Sequence, residues 1–156
     1  MDIISSYTYT VYAIGSLAFL MLVQLLIADV VGIASKHIPG SLVPSDHSNF
    51  LFRSSRVVAN TNESIAIFIL AIMFCVFSNV SPQTSAFISW VFVIARLFYA
   101  ICYYCNLKIM RSIIFGVSVL ALSATGYWFI CVALIPNKFK NCQSLRSLGR
   151  ANARPF

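Results

Sequence analysis

Charge is what this 156-residue chain has least of, since charged side chains make up 10% of it and only four are acidic. Three long stretches carry none at all: Ile3 to Ala28, Ser64 to Ala95 and Ser112 to Ile135. Each exceeds the roughly 20 residues that a membrane-spanning helix needs. With 60% hydrophobic residues and a mean hydropathy of +0.86, this excludes an ordinary soluble domain and specifies an integral membrane protein. Basic clusters of the kind that form a folded nucleic-acid module are missing, so nucleic acid is excluded as a partner. Histidine is nearly absent: His37 and His47 share one loop without a ligand set, and no metal site is expected. The five cysteines, Cys75, Cys102, Cys105, Cys131 and Cys142, are scattered. The Cys102–Cys105 pair has C-x-x-C spacing, but it lies on an apolar helix outside any βαβ context, which points to packing rather than redox chemistry. No repeat and no pair of Gly/Pro-broken helices is present, which argues against a transporter.

The middle apolar run is too long for one helix and is cut by Ser78-Asn79-Val80-Ser81-Pro82-Gln83, a turn. Four spans follow, at about 7–35, 56–77, 84–104 and 110–134. The expectation is an all-α integral membrane protein, with a four-transmembrane-helix domain over 1–136 and a basic tail over 137–156 that is either a mobile extension or one that binds lipid headgroups. Asp2 is the only charge before Asp29, so the first run is expected to persist as a helix rather than be removed as a leader. Orientation is not decided by charge. Lys36, Arg53, Arg56, Lys108 and Arg111 lie on one side, against Lys138, Lys140, Arg146, Arg150 and Arg154 on the other.

With so few charges, those inside the spans need partners. Arg56, Asn60 and Glu63 share one face of the second span. Arg96, Tyr99 and Tyr103 share a face of the third, and Arg111-Ser112 opens the fourth. Connectivity puts all of these at the same end of the bundle. Counted from that end, Glu63 lies about 10 Å deep and Arg96 about 12 Å, so an interhelical Glu63–Arg96 pair is expected. Together the set forms a cationic, tyrosine-lined pocket suited to a small anion bearing carboxylates. A plainer reading stands beside it: border anchors, an aromatic belt and an interhelical clasp.

The pattern Arg56-x-x-x-Asn60-x-x-Glu63, Ala95-Arg96-x-x-Tyr99-x-x-x-Tyr103 and Arg111-Ser112 resembles that of the MAPEG superfamily, the membrane-associated proteins in eicosanoid and glutathione metabolism. Its members include microsomal glutathione transferases and prostaglandin E synthase. The resemblance implies a homotrimer of four-helix protomers in a bacterial inner membrane or a eukaryotic endomembrane, with glutathione as co-substrate at the cytosolic border. It implies that Arg111 is catalytic and stabilises the glutathione thiolate. It also implies that Arg56, Asn60, Glu63, Arg96, Tyr99, Tyr103 and Ser112 hold the tripeptide. The implied activity is a transferase or peroxidase acting on a lipophilic electrophile or hydroperoxide. The alternatives are a non-catalytic lipid-binding or activating member of the same family, or a small structural or transport subunit.

Overall fold

The computed structural model describes residues 3–38 and 40–134. A single turn, α1 (Ile3–Ser6), precedes four long helices, α2 (Thr8–Ala34), α3 (Phe50–Phe77), α4 (Pro82–Tyr104) and α5 (Lys108–Leu134). Among the described residues α2, α3 and α4 are long and apolar enough to cross a membrane, and α5 matches them with 27 residues. This is an all-α integral membrane bundle of four long helices. The expected tail, 137–156, lies outside the described residues.

Helix α4 is the axis of the bundle and packs against α2, α3 and α5. Its composition explains why. Ser85, Ser89, Ala95 and Ala100 are buried along it, and small side chains let neighbouring backbones come close where lipid offers no hydrophobic drive for helices to associate. The hydroxyls in these packed faces are satisfied locally, as an apolar surrounding demands. Ser89 Oγ donates to the Ser85 carbonyl at 2.8 Å, and Thr61 Oγ1 to the Val57 carbonyl at 3.0 Å. The core gathers Ala13 and Leu17 from α2, Phe68 and Ile72 from α3, Phe92 and Val93 from α4, and Ala121 from α5. Phe68 and Phe92 stack across it with centroids 4.4 Å apart.

Three helix ends close in the same way. Lys36, Asn79 and Asn106 take left-handed φ values of 53°, 53° and 58°. The next residue in each case returns its N–H to a carbonyl five positions back: His37 to Gly32, Val80 to Cys75 and Leu107 to Cys102. Each is a Schellman ending, and two of the three use asparagine, which tolerates this conformation. Helix α4 then starts at Pro82 behind Ser81, whose hydroxyl caps Thr84 N at 3.3 Å. Helix α3 starts at Phe50, six residues earlier than the span expected from Arg56. The reason is Asn49, whose side chain caps Leu51 N at 2.9 Å and extends the helix beyond the apolar stretch. At the opposite end of the bundle, the buried Tyr7 hydroxyl donates to the Val80 carbonyl at 2.6 Å and ties the start of α2 to the α3–α4 turn.

Candidate functional site

The tight α4–α5 turn decides where the site lies. Only Cys105, Asn106 and Leu107 separate the two helices, so the first turn of α5 is set beside the last turn of α4. Arg111 therefore lies over the Tyr103 ring, its guanidinium carbon 4.8 Å from the centroid. Asn60, Tyr99, Tyr103, Arg111, Ser112 and Phe115 line one open cavity of about 270 Å³. Tyr99 and Tyr103, one helical turn apart, pack with centroids 5.3 Å apart, and both are buried. The Asn60 side-chain N–H₂ donates to the Tyr99 hydroxyl, a cross-helix bond from α3 to α4 that fixes the phenol's direction. The lining thus presents one guanidinium, two phenols, an amide and a hydroxyl, a donor-rich set for an anion.

Five of the eight expected site residues, Asn60, Tyr99, Tyr103, Arg111 and Ser112, come together in this cavity. Arg96 does not line it. It is 1% exposed, lies behind the cavity and packs its guanidinium over Phe92, Tyr99 and Phe115 at 5.2, 5.7 and 5.5 Å. Its Nη1 donates to the Asn60 carbonyl at 3.4 Å, while its Nε has no partner. The expected Glu63–Arg96 ion pair is not formed. Three ring faces and a backbone carbonyl already surround the guanidinium at the level of Asn60, a turn short of Glu63, so only a longer-range attraction links the two charges. Glu63 and Arg56 are exposed on the protomer surface.

Two lining or supporting residues escaped the sequence reading. Phe115 is four residues after Arg111 and hence on the same helical face, a spacing that could have found it. Its ring packs against Tyr99 at 6.0 Å. His47, which the sequence marks only as a loop histidine without a ligand set, lies with its Nδ1 3.2 Å from Arg111 Nη1. A contact across 64 positions leaves no local signal.

A second cavity, about 370 Å³ and apolar, runs along another side of the α4–α5 pair and is lined by Val91, Ile94, Ala95, Phe98, Ile114 and Val117.

No curated protein and no solved structure matches the chain. A protein-family model does: the one described as the MAPEG family aligns with residues 10–131, which takes in α3 and α4 whole, nearly all of α2 and most of α5. The match covers most of the chain and every residue of the cavity, and the chain belongs to the MAPEG family.

Proposed function

We propose that this protein is a membrane-bound glutathione-dependent transferase or peroxidase in which Arg111 stabilises the glutathione thiolate. The observation that carries the reading is the placement of Arg111 and Ser112 in one cavity with Asn60, Tyr99 and Tyr103. A free thiol with a reference pKa near 8.5 is mostly protonated at neutral pH, and a guanidinium beside it in a partly dry site favours the anion, which is the nucleophile. The remaining donors suit the tripeptide's carboxylates. In conjugation the thiolate sulfur forms a bond to the electrophilic carbon, the leaving group departs with its bonding electrons, and the thiol proton has already passed to solvent. Holding sulfur and carbon together supplies much of the rate.

A homotrimer belongs to the same reading. The cavity of about 270 Å³ falls just below the roughly 300–1,000 Å³ usual for ligand clefts. Arg56 and Glu63 stand exposed nearby, as the edge of a site that a second copy would complete. The site end then faces the cytosol, where glutathione is abundant. A lipid-binding member without chemistry is the second reading, favoured by the apolar cavity along α4 and α5.

The test is calorimetric titration of the detergent-purified protein with glutathione, beside turnover of a chromogenic aryl halide and of a lipid hydroperoxide. Binding with turnover is expected, with kcat lowered about 100-fold or more in Arg111→Ala, the loss usual when a donor to a developing or stabilised anion is removed. Binding without turnover favours the second reading, and absence of binding rejects the enzyme reading.

A further inference from the structure

The turn before α3 is more tightly built than a surface loop requires. Asp46 accepts hydrogen bonds from the Ser48 backbone N–H at 2.8 Å and from the Ser48 hydroxyl at 2.5 Å. Arg53, one turn inside α3, reaches back with Nη1 to the carbonyls of His47 and Ser48 at 2.7 and 2.8 Å, and packs its guanidinium over Phe50 at 5.3 Å. With Asn49 capping the helix, residues 46–49 are fixed from both sides. What this arrangement delivers is His47. Its ring packs edge-on to Phe52 at 5.0 Å and tilts against Tyr103 at 6.2 Å, and its Nδ1 meets Arg111 Nη1.

That last contact fixes the chemistry. A guanidinium has donors and no acceptor, so an imidazole nitrogen facing it at 3.2 Å must offer its lone pair. For this contact to be a hydrogen bond, Nδ1 is the ring's acceptor and Nε2 its donor. Around the ring, Arg53 engages the His47 backbone, Arg111 and the Tyr103 ring face the imidazole, and Asp46 is turned onto Ser48.

We propose that His47 is a positioning residue, whose Nδ1 accepts from Arg111 Nη1 and so holds the guanidinium over Tyr103 at the mouth of the cavity. The consequence for catalysis rests on the proposed glutathione role of Arg111, but the contact itself does not.

The experiment separates the two levels. Ring-nitrogen NMR of the ¹⁵N-histidine-labelled protein, assigned with His37→Ala and His47→Asn, reads the tautomer without any ligand. An unprotonated His47 Nδ1 at neutral pH, perturbed by Arg111→Ala, is expected; a proton on Nδ1 of the neutral ring overturns the proposal. In turnover assays His47→Ala should lower kcat/KM about tenfold, mainly through kcat, the scale of one hydrogen bond to a charged donor. His47→Asn keeps an acceptor near the Nδ1 position. It should stay within about threefold of the parent. A loss in His47→Asn as large as in His47→Ala overturns the proposal. Should the parent neither bind nor turn over glutathione, the functional reading falls, and the NMR result alone decides the contact.

Discussion

At the scale of single residues, the least satisfied side chain is Gln24. It is 2% exposed, midway along α2, and neither its Nε2 nor its Oε1 has a hydrogen-bond partner among the described residues. An amide buried without partners costs about 1–3 kcal/mol relative to a solvated one. In a membrane the unfolded reference recovers part of that. Gln24→Leu, close to it in volume, should therefore stabilise the protein by about 1 kcal/mol, read as a rise in Tm in detergent. A fall would show that the amide is needed in place. Asp46 makes a separate prediction about pH. Hydrogen bonds from the Ser48 hydroxyl and the Ser48 backbone N–H hold its carboxyl below the ordinary value of 3.8. Because the folded value is the lower one, its contribution to the turn is complete above the ordinary carboxylate range and disappears as pH falls through the depressed value. Loosening of residues 46–49, followed by amide exchange, should thus set in as pH falls below the ordinary carboxylate range, and the pH dependence should be absent in Asp46→Asn.

At the scale of the elements, α4 carries the bundle because its small residues fall where its neighbours approach. Ser89 is fully buried and bonded to its own helix. Ser89→Leu would force α4 away from its neighbours and should cost about 1–3 kcal/mol, whereas Phe87→Leu, at an exposed position of the same helix, should change Tm little. Helix number and order were legible because uncharged length is a strong signal and Ser78 to Pro82 breaks it clearly. The gathering of Asn60, Tyr99, Tyr103 and Arg111 was legible for a related reason, since periodicity and connectivity assign each of them a face and an end. Depth alone misled for Glu63 and Arg96. Rise per residue gives a level in the membrane, whereas a guanidinium takes whichever partners surround it, here three aromatic rings and the Asn60 carbonyl. His47 was illegible because a loop contact with Arg111 has no periodicity to betray it.

At the scale of the whole molecule, the exposed face of α3 is the unresolved cost. Glu63, Ile67 and Leu70 lie one turn apart on it and are all exposed on the single protomer. Apolar residues at such positions are at home in lipid, but a carboxylate that far along a spanning helix is expensive unless protein or a ligand faces it. Among the described residues no ion pair meets Glu63, and in the proposed homotrimer its cover is another copy of the chain. Association of identical chains normally closes into a ring with each copy using the same pair of surfaces. Introducing Ile67→Cys, one turn from Glu63, into a background with Cys105→Ser, Cys131→Ser and Cys142→Ser, which leaves only the buried native thiols Cys75 and Cys102, makes this measurable. A short trifunctional maleimide should convert part of this variant in membranes into a species of three linked chains, whereas a bifunctional one, with a single reactive thiol per chain, stops at two; Phe87→Cys near the opposite end of the bundle serves as the proximity control. Only single chains from Ile67→Cys would mean that Glu63 faces something other than its own kind. The trimeric reading of the site would then have to be given up, even if glutathione binding in the protomer cavity survived.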